Sequence, residues 1–168
     1  MVRDIVIYND RRLRQVSENV EKIDSKISSV IQDMVDTMYA KKGIGLAAIQ
    51  IGIPLKIVLA NPTLKSKDLV CLINPEIVSY SEKGVLFEEG CLSVPGIFAK
   101  VKRPVEIEVV SLDNRGRKIK LKTSGLLARI LQHEIDHTNG ILFPDRLTLL
   151  RKVKILPKLT KLKYAQKV

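Results

Sequence analysis

The chain has only two histidines, and they stand four residues apart in Gln132-His133-Glu134-Ile135-Asp136-His137. On a helix such a pair shares one face, one turn apart, so both imidazoles can reach a single metal ion. Glu134 is one residue further round, where it can flank the ion without ligating it. This is the His-Glu-x-x-His pattern, and its chemistry is metal-assisted hydrolysis. A catalytic centre of this kind usually has three protein ligands and a water. With no other histidine available, Cys91, Glu89 and Asp145 are the candidates for the third ligand. Thiolate binds zinc and iron tightly, and Gly90 beside Cys91 permits an unusual backbone. Sequence spacing does not choose among the three.

Periodicity predicts the elements that must carry these residues. A helix is expected from about residue 125 to 138, capped by Thr123 or Ser124 and closed by Asn139-Gly140. Ile23, Ile27, Val30, Ile31, Met34, Val35 and Met38 mark an earlier amphipathic helix, with Asp24 or Ser25 at its start and Gly43 at its end. A third begins near Thr148 with apolar positions Leu149, Leu150, Val153 and Leu156, and Pro157 should kink or break it. Short strands are expected over 55–60, 69–73, 77–80 and 85–87. Asn61-Pro62 and Asn74-Pro75 act as stops, and 81–84 forms a turn. Alternation over 105–110, the turn Asp113-Asn114-Arg115-Gly116 and residues 118–122 read as a hairpin. The expected class is α+β: short mixed or antiparallel strands around a central metal-binding helix, with a C-terminal helix.

The 168 residues fit one domain over 1–168, with a basic helical tail from about 148 to 168. An apolar content of 45% supports a core without disulfides or a structural metal, so a bound metal is expected to be functional. No run of about 18 apolar residues is present, which excludes a membrane-spanning helix. The N-terminal apolar run is too short for a secretory signal, so a cytoplasmic protein is expected. In a reducing cytosol Cys71 and Cys91 remain thiols, Cys71 as a small hydrophobe in a strand. Gly43-x-Gly45 is no phosphate loop: no Lys-Ser/Thr follows, and the glycines lead out of a helix. It reads as a backbone that a substrate approaches closely, or as a simple turn. The net charge of +11 is concentrated in 151–154 and 158–167. That is either a solvated face or an attraction to an anionic partner such as nucleic acid, ribosome or membrane surface.

Three segments together resemble the signature motifs of the peptide deformylases, in order and approximate spacing. They are Gly43-Ile44-Gly45-Leu46-Ala47-Ala48-Ile49-Gln50, Glu89-Gly90-Cys91-Leu92-Ser93 and Gln132-His133-Glu134-Ile135-Asp136-His137. The likeness spans about residues 1–165. It implies removal of the N-formyl group from the initiator methionine of new polypeptides, with release of formate. It also implies one divalent ion, Fe(II) in cells, with zinc, nickel or cobalt possible after purification. Cys91, His133 and His137 would be the ligands and Glu134 the general base. Gln50 and the backbone N–H of Leu92 would steady the oxyanion, and Gly45 would offer backbone hydrogen bonds to substrate. The ion would lower the pKa of water, and Glu134 would take a proton and return it to the leaving amine.

Ile130, Arg129 and Leu126 precede His133 by three, four and seven positions and share its helix face. With Ile44 and Phe87 they are expected to line a methionine pocket. The stem of Arg129 should pack while its guanidinium reaches water. Asp136 is expected to pair with Arg103 and Glu89. Phe98 stands where some members of the family carry an arginine. The partners implied are N-formylmethionyl nascent peptides and, through Lys152, Lys154, Lys158, Lys161 and Lys163, the ribosome. No membrane partner and no specific DNA are expected. A His-Glu-x-x-His peptidase that cleaves internal amides, and a non-enzymatic module with a structural metal, are the rival readings.

Overall fold

Asp24 starts the first helix, α1 (Ser25–Ala40), by accepting hydrogen bonds from the backbone N–H groups of Lys26 and Ile27 at 2.9 and 3.1 Å. The computed structural model to which α1 belongs describes the backbone of residues 1–165 and the side chains of residues 1–162. The expected role of Lys163 and the end of the basic run at 163–167 therefore lie outside the residues whose side chains are described. The helix stops at Ala40 because Lys42 takes a left-handed φ of 55°, which turns the N–H groups of Lys42 and of Gly43, the residue predicted to end the segment, back onto the carbonyls of Tyr39 and Met38.

Five antiparallel strands form the main sheet in the order β1 (Gly45–Ala47), β2 (Ile57–Ala60), β3 (Val70–Tyr80), β6 (Glu106–Leu112), β7 (Lys118–Ser124). The remaining two, β4 (Gly84–Cys91) and β5 (Val94–Pro104), form a separate antiparallel hairpin. Strand residues alternate between faces, and here both faces of β1 and β2 are covered. Leu46, Ile57, Leu59 and Ile73 pack with Met34 and Met38 of α1. Ala47, Val58, Ala60 and Leu72 pack with Ala128, Leu131 and Ile135 of α2 (Gly125–Thr138). Thus α2 lies on the sheet as the central helix of an α+β fold, with α1 on the opposite face.

Asn74-Pro75 does not end a strand as expected; residues 70–73 and 77–80 of the two expected strands belong to one long β3. The ladder shifts register between Ile73 and Glu76, and Asn74 takes a left-handed φ of 52°. The bulge accommodates Pro75, which has no N–H for the ladder. The side chain of Asn74 steadies it by accepting from Val20 N at 2.8 Å and donating to Val20 O at 3.0 Å.

Pro157 likewise does not break α3 (Leu149–Ala165). An interior proline costs about 3 kcal/mol. Ile155 and Leu159 are buried among Val94, Ile97, Val101 and Phe143, and two such side chains contribute roughly 3–6 kcal/mol. Packing on β5 therefore outweighs the missing hydrogen bond. The face that docks is not the one read from the sequence: Leu149 and Leu150 are 78% and 79% exposed, and Val153 and Leu156 also face solvent. Among the described residues no helix is long and apolar enough to cross a membrane.

Candidate metal centre

Ser124 stands at the N-cap of α2, but its side chain makes none of the capping bonds expected there; the helix buries every residue from Ile130 to Thr138. It presents His133 and His137 toward the tip of the β4–β5 hairpin, where the ladder shifts register between Glu89 and Cys91. One ligand atom from each of Cys91, His133 and His137 lies within 4.8 Å of the other two. The Cys91 Sγ is 3.2 Å from His137 Nε2. A thiolate and two imidazoles so gathered suit a borderline-soft divalent ion. Glu89 and Asp145, the other candidate ligands, are engaged elsewhere. Glu89 accepts from His133 Nδ1 at 3.0 Å, which fixes the ring orientation. Asp145 accepts from the Leu142 N–H and pairs with Arg14.

Glu134 and Gln50 line the same cavity as Cys91, Leu92 and His133, with a volume of about 480 Å³. Burial pushes the Glu134 carboxyl up to about 7. Its Oε2 is buried and has no protein partner. An acceptor left free beside three metal-type donors fits a site completed by an ion and a water. The Gln50 side chain is held at both ends. Its Oε1 accepts from Ala47 N at 2.8 Å, and its Nε2 lies 3.2 Å from Ser93 Oγ and 3.5 Å from Cys91 Sγ. Gly45 is required for a reason that spacing did not reveal. A Cβ there would lie 2.4 Å from Glu134 Oε1 and 2.7 Å from Ile130 Cγ2. Phe98 is exposed, and its ring covers Gly90, where a Cβ would come within 2.5 Å of it.

Ile44, Phe87, Leu126, Arg129 and Ile130 line one cavity of about 140 Å³ together with His133 and Glu134. The expected exit of the Arg129 guanidinium to water is not observed. It donates from Nη1 to Glu89 Oε1 at 2.6 Å and to Val101 O at 3.2 Å, and from Nη2 to Val85 O at 2.8 Å. Two backbone carbonyls of the hairpin and the buried Glu89 carboxylate supply the acceptors that water was expected to supply. Arg103 joins Glu89 to Asp136, through Nε at 2.7 Å and Nη1 at 2.8 Å respectively, as expected. Burial would raise the Glu89 carboxyl, but His133 and Arg103 outweigh it and hold the group at about 2. Arg146 extends the chain by pairing with Asp136. The roles of Ser93 and Arg146 were not anticipated: Ser93 stands in the second motif without an assigned role and Arg146 has no local signal, since each gains its partner only through tertiary packing. Cys71 belongs to the α1 side of the core, where burial pushes its thiol up to about 12.

Comparison with known proteins agrees with this geometry. A family model described as Polypeptide deformylase matches residues 2–153. The peptide deformylase of Brachyspira hyodysenteriae is 44% identical, with 97% of this chain and 90% of the relative covered. A crystal structure of a peptide deformylase from Legionella pneumophila superposes with a TM-score of 0.91 at 42% identity, over 99% of this chain and 98% of that one. One from Plasmodium falciparum gives 0.94 at 41% identity, over 98% and 97%. An identity of this size along nearly the whole length, with the same backbone course, means that the chain belongs to the polypeptide deformylase family.

Proposed function

We propose that Cys91, His133 and His137 hold one divalent ion, Fe(II) in the cell, at which the N-formyl group of a nascent polypeptide's first methionine is hydrolysed to formate. As a member of its family the chain is a metal-dependent enzyme that removes the formyl group from new chains. The observation that carries the residue assignment is the meeting of three donor atoms from two separate elements beside a buried, unpaired carboxylate. When bound, the ion supplies Lewis acidity, lowering the pKa of water and polarising the formyl carbonyl.

The chain's own residues do the rest. Glu134 takes the proton from the attacking water and passes it to the departing amine, a role suited to a carboxyl that burial has pushed toward neutrality. Gln50 is pinned by Ala47 and Ser93 and offers its amide to the developing oxyanion together with the Leu92 N–H; losing one such donor typically costs about 3–4 kcal/mol. Gly45 presents its backbone to the substrate main chain. Ile44, Phe87, Leu126, Ile130 and the stem of Arg129 receive the methionine side chain. A formyl carbon bears only hydrogen, so a close-fitting wall admits it and rejects bulkier acyl groups.

The reading extends to a single catalytic domain acting in the cytoplasm, with the basic α3 meeting the ribosome. Zinc, nickel or cobalt can replace iron in the purified protein, since the donor set accepts all of them. The test is formate release from a formyl-methionyl peptide, with an acetylated peptide as control. The metal-loaded protein should release formate and leave the acetyl group. Glu134→Gln should lower the rate by roughly 10²–10⁴-fold while retaining the metal. Undiminished turnover by Glu134→Gln would overturn the assignment.

A further inference from the structure

We propose that Arg129 is a positioning residue of the metal centre: it fixes the β4–β5 hairpin, which supplies Cys91, to α2, which supplies both histidines. This rests on the metal site proposed above. The guanidinium spends its hydrogen bonds on the hairpin alone, reaching Val85 O on β4, Val101 O on β5 and the Glu89 carboxylate. Both strands are therefore gripped by one planar fork, a geometry that a lysine cannot reproduce. Its Cζ also lies over the Phe87 ring, 5.5 Å from the centroid.

Glu89 makes the link to the donors. It stands two residues before Cys91 on β4 and accepts four contacts: Arg103 Nε and Nη2, Arg129 Nη1 and His133 Nδ1. A carboxylate has about four acceptor positions, so Glu89 is saturated and has one orientation. Arg129 and His133 are one turn apart on α2 and hold the same carboxylate. Without Arg129, one oxygen of Glu89 loses a partner and the hairpin loses both carbonyl contacts. The carboxylate can then turn, and the ring of His133 with it. Arg129 is the better probe than Arg103, because Arg103 also pairs with Asp136 and its loss would take a partner from two buried acids at once.

The experiment uses the full chain loaded with Co(II), whose d–d and thiolate-to-cobalt absorption bands report the ligand geometry. Arg129→Met keeps an apolar stem in the pocket wall and removes the fork; Arg129→Lys keeps the charge and one contact. Expected for Arg129→Met are shifted bands, Co(II) affinity weaker by about 10–100-fold, and a fall in kcat larger than any rise in KM. Arg129→Lys should fall between it and the parent. Parental bands and affinity with a change in KM alone would overturn the proposal and leave Arg129 as pocket wall. Should Arg129→Met fail to fold, the same criteria apply to Arg129→Lys; failure of both overturns the proposal in favour of a role in folding. A parent protein that binds no stoichiometric Co(II) sinks the metal reading itself. Normal uptake with an unaltered Arg129→Met sinks only this inference.

Discussion

Gly45 and Glu134 meet where β1 passes α2, and the space between them leaves no room for a methyl group. Both residues are recognisable in the motifs, but their dependence on each other is not. A sequence shows that a glycine leads out of a helix; it does not show which carboxylate lies across from it. Gly45→Ala should push Glu134 aside by about an ångström, and a displacement of that size can cost about 100-fold in rate. Formate release by the metal-loaded variant, compared with its melting temperature, checks this: activity should collapse while the fold persists. Activity within twofold of the parent would show that Glu134 has room to yield. His133 teaches the same lesson about legibility. Its spacing from His137 announced a shared ligand face, whereas the carboxylate that orients its ring lies 44 positions away in the chain and becomes visible only when the hairpin folds back.

At the scale of elements, α3 shows packing overriding local preference. Pro157 offers no N–H to the Val153 carbonyl, yet the helix runs through it because Ile155 and Leu159 are seated on β5. Pro157→Ala should restore that hydrogen bond and stabilise the protein by about 1–3 kcal/mol, a rise of roughly 2–4 °C in melting temperature per kcal/mol. A fall in melting temperature would show that the Pro157 ring itself contributes to the docked packing. The signals that read correctly in the sequence were local and strong. The Asp24 cap, the stripe from Ile27 to Met38, the Asp113–Gly116 turn and the α2 periodicity all hold. The misreadings share one cause. Asn74-Pro75 and Pro157 each oppose a regular element locally and are overruled by partners distant in sequence: the Val20 backbone in one case and the β5 side chains in the other. The outward position of Leu149, Leu150, Val153 and Leu156 was hidden for a related reason. Apolar residues lie on both sides of that helix, and the sequence does not say which side meets β5.

Across the whole molecule, charge and metal bear on behaviour that no single element determines. The net charge of +11 favours anionic surfaces and makes any such contact sensitive to salt. Removing α3 is a poor test of ribosome binding, because it would uncover Val94, Ile97 and Phe143 beside the Cys91 strand. Lys154, Lys158 and Lys161 are exposed, so reversing them to glutamate leaves the docked face intact. The triple variant should sediment less with ribosomes, most clearly at low salt, while turning over a free formyl peptide at the parental rate. Equal sedimentation would reject the tail as the contact.

The donors of the candidate metal centre come from two different layers: a sulfur from the hairpin and two nitrogens from the helix. An ion joining them acts as a tether between parts that otherwise adhere through side chains alone. At a free concentration a hundred times its Kd, it would add about 2.7 kcal/mol to stability. Stripping with a chelator should therefore lower the melting temperature without unfolding the protein, since the cores on both faces of the sheet are complete. An unchanged melting temperature on metal return would argue against the tether. The same coupling extends to the cell: under metal starvation the idle protein would also be the looser one, more open to proteolysis, and its abundance would follow the supply of its ion.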